Sequence, residues 1–395
     1  LKEVVIVGGG AAGLACAVLL NKASVTILEK NDKVGKKLLA TGNGRCNLTN
    51  EKLLPENFHS HYKKSFFAPI TAFGYEQTIE FFENLGIVPI SENAKIFPAS
   101  EQASSVLDVL RIAVNAAEVD VVTNAAVVDI KYKKGHFALE TIDGKVYTAA
   151  KVVIATGGLA GVKEDYTIYK VLEKLGHKIE PLLPTLVHIK SNTVYCKMLQ
   201  GTRVKAKVTA GDKTEYGEVL FTEDGLSGPA IFNISRQISN ALTTEITLDL
   251  VKDLTEEEVI AMIYSRIAKN PHHTVAEMFL GWQNKKVAIS IIKAANLGKV
   301  TRSVDTLEYE EVEKLAKTMK SLKFAIAGTR SFKFAQATIG GVSLEDIDIA
   351  TMESKQIKGL YFMGEVVDVD GDCGGYNLQW AWSTAAAVAR SIYSS

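Results

Sequence analysis

The β-branched run Val4-Val5-Ile6-Val7 passes without interruption into Gly8-Gly9-Gly10-Ala11-Ala12-Gly13. Four such residues in a row predict a parallel strand buried on both faces. Gly8, Gly10 and Gly13 fall on the spacing G-x-G-x-x-G, and the small apolar residues Ala11 to Leu20 predict a helix directly behind them. Gly8 permits the tight turn, Gly10 lets a pyrophosphate approach the backbone, and Gly13 lets helix and strand pack closely. The free N–H groups and dipole of a helix N-terminus favour phosphate there. Val25-Thr26-Ile27-Leu28 reads as the next strand and Glu29 closes it, 16 residues after Gly13. An acid in that place suits a ribose diol. Glycine turns alone are common, but strand, glycines, helix, strand and acid in this order specify a dinucleotide site. Ala11, Ala12, Glu29 and Lys30 join the glycines as its candidate residues.

A chain of 395 residues exceeds one ordinary core and predicts two or three domains. Hydrophobic content of 47% with 23% charged residues fits a globular protein. Lys+Arg and Asp+Glu are both 45, and this zero balance argues against nucleic acid or an anionic membrane held through bulk charge. Cys16, Cys46, Cys196 and Cys373 form no C-x-x-C pair, which speaks against a zinc ribbon or thioredoxin-like centre and for a reducing cytoplasm. Residues 4–20 fit a nucleotide unit better than a signal peptide, and no transmembrane span is expected. One G-x-G-x-x-G, no second βαβ unit and no C-x₄-C redox pair argue against a disulfide reductase.

Residues 35–50 are rich in glycine, asparagine and basic side chains and follow no helical or strand period. So long a loop beside a nucleotide unit predicts a segment wrapped around the cofactor. Lys36, Lys37 and Arg45 are candidates to neutralise a pyrophosphate, and Gly42, Asn43, Gly44, Cys46 and Asn47 to contact the cofactor. Helices are predicted over 75–86 and 103–117, strands over 119–122 and 125–130, and a hairpin around Asp143-Gly144. Val127 lies in the second of these strands and is included among the cofactor contacts. Lys151 to Ala155 reads as a buried strand ending in Thr156-Gly157. From Leu186 short alternating segments predict an antiparallel sheet or small barrel. Thr255 with Glu258 forms a capping box at the start of a helical stretch, 255–321. Strand character returns over 324–339 and 359–365, and a last helix over 378–391.

The expected fold is therefore α/β, a Rossmann-like domain with an inserted β-sheet or barrel domain and a small helical domain. The boundaries read as 1–185 with 342–395, 186–254 with 322–341, and 255–321.

Ala155-Thr156-Gly157 and Gly364-Glu365, set beside the glycine turn, resemble the FAD enzymes with a glutathione-reductase-like sheet. A narrower resemblance rests on Thr41 to Asn50, Gly340-Gly341-Val342, Gly364-Glu365, Asp368 to Gly371, and Gly374-Gly375-Tyr376-Asn377-Leu378-Gln379-Trp380. Together these are similar to a microbial three-domain flavoprotein family that includes aminoacetone oxidase and flavoprotein reductases of bile-acid dehydroxylation. The resemblance implies non-covalent FAD. It places the Ala-Thr-Gly strand near the ADP half, Glu365 at the ribityl or pyrophosphate region, and Gly374-Gly375 with the first turn of the last helix beside the flavin pyrimidine ring. A helix N-terminus there stabilises the negative charge of the reduced flavin. Asn43 interrupts a family glycine run, and Glu223 stands where the family commonly has histidine.

The leading functional expectation is an oxidase of a small primary amine such as aminoacetone, using O2 and giving ketoaldehyde, ammonia and hydrogen peroxide. Two alternatives stand beside it. One is an NAD(P)H-dependent reductase of a C=C bond or diffusible acceptor; the other is an FAD-carrying module that binds RNA or protein. No catalytic side chain and no metal site is assigned. Cys46 and Cys373 read as small residues packed near the flavin, and Tyr376 and Trp380 as aromatic packing. Arg330 reads as an ion-pair partner or an anion ligand, Glu223-Asp224 as a turn, and His59 and His61 lack a neighbouring acid cluster.

Overall fold

The computed structural model describes residues 2–20, 24–161 and 165–394. The chain divides into two compact units, Leu1–Pro184 with Gln336–Ser395, and Thr185–Ala335. The first is built on a seven-stranded sheet. Asp120–Val122, Val25–Leu28, Lys2–Val7, Val146–Ile154, His136–Thr141 and Val127–Lys133 lie side by side in that order. The first four run parallel, as the β-branched, doubly buried run at 4–7 requires.

Val146–Ile154 changes partner along its length. Its first half pairs antiparallel with His136–Thr141, and Val152 to Ile154 pair in parallel with Leu360–Phe362. The sequence reading split this strand in two, at the point where it passes from a half-exposed hairpin into the buried sheet. The helices Ala11–Leu19, Ala103–Ala116 and Tyr376–Ser394 accompany the sheet. Ala11–Leu19 buries most of its residues, and Tyr376–Ser394 buries Trp380, Trp382 and its alanines. Small side chains let the two helices lie close together.

The second unit contains a closed barrel. Ile189–Ser191, Gly225–Ser227, Lys213–Thr222, Arg203–Ala210, Glu245–Asp249 and Leu322–Thr329 follow one another around it. Period-two burial fills it: Ala206, Val208 and Ala210 from one strand and Ile246 and Leu248 from another point inward. Glu223-Asp224 turns into the short strand Gly225–Ser227, which the sequence reading missed, before helix Pro229–Ser239. That helix buries Ala230, Ile231, Ile234 and Ile238 on one stripe. Helices Glu256–Lys269, Lys285–Ala294 and Tyr309–Lys320 contribute Val259, Ile263, Ile291, Leu315 and Met319 to the same hydrophobic core as the barrel.

The capping box is formed. Glu258 N–H donates to Thr255 Oγ1 at 3.2 Å, and Thr255 N–H donates to Glu258 Oε2 at 2.7 Å. Thr255→Ala is expected to lower the unfolding free energy of this unit by about 1 kcal/mol. Urea denaturation checks this, and an unchanged midpoint would show that the cap contributes nothing.

Candidate functional site

The glycine turn is built as its spacing predicts. Gly8 has φ +109°, and a Cβ there would lie 2.4 Å from Ala155 O. A Cβ at Gly13 would lie 2.0 Å from Gly8 O. Both glycines are therefore required by packing within the strand–helix crossover. Gly10 caps the helix with extended backbone and no side-chain cap, and open space surrounds the position of its missing Cβ. A Cβ-sized gap in front of a helix N-terminus is what a pyrophosphate needs.

Glu29, 6% exposed, accepts from Gly9 N–H at 2.8 Å and from Asn31 N–H at 2.9 Å. The carboxylate is thus fixed beside the glycine turn. Ala125 N–H donates to Glu29 O, which brings the strand of Val127 to the same sheet end. Ala11 and Ala12 open the helix, and Gly364 packs against Ala12: a Cβ there would be 3.2 Å from that of Ala12. Lys30 turns to the surface and pairs with Asp165 at 3.1 Å.

Across the sheet end, Glu365 joins four segments. Its Oε2 accepts from Lys37 Nζ at 2.8 Å and from Gly158 N–H at 3.2 Å, and its Oε1 accepts from Thr338 N–H at 2.9 Å. Thr338 Oγ1 in turn accepts from Leu159 and Ala160 N–H. This brings Lys37, Gly157 and Gly364-Glu365 together. Gly157 has φ +69°, and its missing Cβ would be 3.8 Å from Glu365 Oε2.

The 35–50 loop folds largely as the 3₁₀ segment Leu38–Gly44, with Gly42 and Asn43 in left-handed conformation. Two of its cations are engaged elsewhere. Lys36 pairs with Asp32 at the surface. Arg45 donates to Glu92 at 2.7 Å and Glu101 at 2.6 Å and lies 4.2 Å over the Phe97 ring. These carboxylates match the charges that the sequence reading directed at a pyrophosphate; of the three cations, Lys37 is the one joined to Glu365. Cys46 is fully buried, and burial pushes its thiol up to about 12. Burial also raises Cys373. Neither thiol is set up as a thiolate nucleophile.

The last helix anchors this loop. Gly375 has φ +97°, and a Cβ there would be 2.6 Å from Thr49 O and 2.9 Å from Asn47 Oδ1. Asn50 Nδ2 donates to Gly374 O at 2.9 Å. Asn377 exchanges two hydrogen bonds of 2.9 Å with the Gly371 backbone. Tyr376 packs edge-on against Phe58, and Leu378 is half-buried behind it. Gln379, fully buried, takes Thr78 Oγ1 at 3.0 Å and gives to Phe73 O at 2.9 Å. Trp380 Nε1 donates to Gly364 O at 3.2 Å and Trp382 Nε1 to Leu48 O at 3.0 Å.

Among these residues Arg45 Nε and two buried oxygens, Asn47 Oδ1 and Thr156 Oγ1, lack a partner. Unpaired buried oxygens are costly unless a ligand completes them. With the gap at Gly10, they fit a dinucleotide laid along the strand ends. In the inserted unit, Arg330 is occupied structurally: its Nη2 donates to both carboxylate oxygens of Asp224 at 2.7 Å, while Glu223 is exposed. No helix among the described residues is long and apolar enough to cross a membrane, and no cluster of three His, Cys, Asp or Glu among them could hold a metal.

A Rossmann-like sheet with a glycine turn, taken with the family and relatives that it matches, makes this chain an FAD-dependent oxidoreductase. The chain belongs to the family described as HI0933-like protein Rossmann domain, whose model matches residues 2–391. It is 33% identical over 406 residues to a 3-dehydro-bile acid delta(4,6)-reductase of Clostridium scindens, covering 99% of both chains. It is 31% identical over 410 residues to a ribosomal RNA dihydrouridine synthase of Haemophilus influenzae, covering 99% of this chain and 98% of that one. Among solved structures, a 3-ketosteroid delta1-dehydrogenase of Sterolibacterium denitrificans superposes with TM-score 0.49 at 12% identity, covering 100% of this chain and 99% of that one.

Proposed function

We propose that this protein is an FAD-dependent reductase of a carbon–carbon double bond conjugated to a carbonyl, acting on a small molecule and drawing electrons from a nicotinamide nucleotide. The observation that carries this reading is 33% identity to a named reductase over 99% of both chains. The second relative's name describes the same chemistry, since making dihydrouridine from uridine saturates a C=C bond next to a carbonyl. An enone accepts hydride at its β-carbon because the carbonyl takes up the electron pair. The balanced charge of the chain favours a small molecule over RNA. Neither relative's name supports the amine oxidase expected from the broader resemblance.

FAD supplies hydride chemistry when bound. The chain's part is to hold and tune it. The gap at Gly10 and the helix behind it would take the pyrophosphate, Glu29 the ribose, and Thr156 Oγ1 and Asn47 Oδ1 would find partners on the cofactor. The 19-residue helix Tyr376–Ser394 would direct its positive end at the flavin pyrimidine ring, favouring the anionic reduced state.

Anaerobic visible spectroscopy tests the reading. NADPH is expected to bleach the purified yellow protein, and a 4-ene-3-oxo bile acid to restore its colour with a product two mass units heavier. Bleaching by aminoacetone alone, reversed by air with peroxide release, would replace the reductase by the oxidase.

A further inference from the structure

A short ribbon crosses the first unit between Glu365 and the last helix. Phe58–His59 pairs antiparallel with Asp370–Gly371, setting His59 opposite Asp370. The same register sets Asn57 opposite Asp372 and His61 opposite Asp368. One face therefore carries Asn57, His59, His61 and three acids, Asp368, Asp370 and Asp372, all buried. Burying a carboxylate is costly unless hydrogen bonds compensate. Asp368 is the deepest, at 0% exposed. Its Oδ2 accepts from Ser60 Oγ at 3.0 Å and from His61 N–H at 2.9 Å, while Oδ1 faces His61 Nδ1 at 2.9 Å. Burial raises the pKa of Asp368 and the His61 contacts oppose that; with the carboxylate ionised, Nδ1 carries the hydrogen and Nε2 is left as the other ring nitrogen. The His61 side chain is 36% exposed. A buried acid that fixes the tautomer and aim of a half-open imidazole is the arrangement required of a positioned proton carrier. Asp368 lies three residues after Glu365 and six before Gly374, on the segment linking two groups assigned to the cofactor.

We propose that His61 is the proton donor of the double-bond reduction, with Asp368 as its positioning residue; this rests on the reductase reading above. Bound FAD, once reduced, would supply the hydride that forms the C–H bond at the β-carbon. The double-bond electron pair shifts toward the carbonyl, and the Nε2–H bond of the His61 imidazolium, whose Nδ1–H stays on Asp368, breaks as its proton goes to the α-carbon and leaves the neutral ring. The imidazole regains a proton from water, and the nicotinamide nucleotide supplies the two electrons. Asp368 faces His61 directly, His59 pairs with Asp372 further along the ribbon, and Glu180, paired with Lys178, acts on His61 from the strand Ile179–Thr185.

The test uses the holoenzyme and its His61→Gln and Asp368→Asn variants in stopped flow, with the two half-reactions separated. His61→Gln is expected to slow reoxidation by the 4-ene-3-oxo acceptor by about 10²- to 10⁴-fold. The acceptor's Kd, read from its perturbation of the oxidised flavin spectrum, is expected to stay within about twofold, because a proton donor acts mainly in the transition state. Asp368→Asn, which loses the carboxylate that fixes the imidazole ring, is expected to slow the same step by about 10-fold or more while the acceptor's Kd again holds within about twofold. A loss of less than about threefold in His61→Gln, or an Asp368→Asn variant that reoxidises at the wild-type rate, overturns the role assigned to the pair and leaves the reductase intact. A wild type reduced by NADPH but not reoxidised by any enone overturns both.

Discussion

Gly13→Val is expected to yield a protein that is destabilised and nearly free of flavin, whereas Gly10→Val loses the flavin while its fold is kept. The contrast follows from what surrounds each missing Cβ. At Gly13 a Cβ would stand 2.0 Å from Gly8 O, so strand and helix must separate. Overpacking of this kind costs about 1–3 kcal/mol, which taken from cofactor affinity is about 5- to 150-fold. At Gly10 nothing lies within 4 Å and the backbone is extended, so the apoprotein accommodates valine. The side chain then fills the space assigned to the pyrophosphate. Thermal unfolding of both apoproteins, with FAD titration by fluorescence quenching, checks the pair. Normal FAD affinity in Gly10→Val would remove the pyrophosphate from this helix end.

Trp382→Ala is expected to cost about 3–5 kcal/mol, the range for truncating a large buried aromatic. Trp382 is 1% exposed, and its ring centroid lies 5.1 Å from that of Phe82. Its indole N–H also holds Leu48 O, so the substitution frees the loop before Thr49-Asn50. Flavin should therefore be lost at denaturant concentrations below the main unfolding transition. Trp382→Phe keeps most of the packing and removes the hydrogen bond, worth about 1 kcal/mol. Chemical denaturation followed by tryptophan fluorescence and flavin release distinguishes them. A loss below about 1 kcal/mol in Trp382→Ala would mean that the last helix is not what anchors the loop.

The glycine turn could be read from the chain because its constraints are local: Gly8 and Gly13 meet within six residues, and the strand before them is uniformly apolar. The same holds for the Thr255 cap. Lys36 and Arg45 are different. Basic residues in a glycine-rich loop look alike whether they face phosphate or carboxylate, and the partners of Arg45, Glu92 and Glu101, lie on another segment that spacing does not reveal. The His61–Asp368 pair spans 307 residues. It left a trace all the same, in two polar runs of period two, His59-x-His61 and Asp368-x-Asp370-x-Asp372. A strand of two residues has no hydrophobic alternation to announce it, so the polar alternation was the available signal. Glu365 was singled out through resemblance, yet the set of donors that fixes it emerged only when Lys37, Gly158 and Thr338 came together.

The partner change along Val146–Ile154 also bears on biosynthesis. The inner half of that strand pairs with Leu360–Phe362, and Trp380 and Trp382 close the same unit from residues still further on. On the ribosome, the first 184 residues emerge with a sheet that lacks a strand and a covering helix. Thr185–Ala335 is contiguous and has its own core, so it can fold during translation, ahead of the unit that precedes it. The nucleotide-binding half is completed only once residues 336–395, which carry its remaining strand and covering helix, have been made. Nascent chains arrested near residue 340 should accordingly resist protease across the inserted segment while remaining cleavable on its N-terminal side.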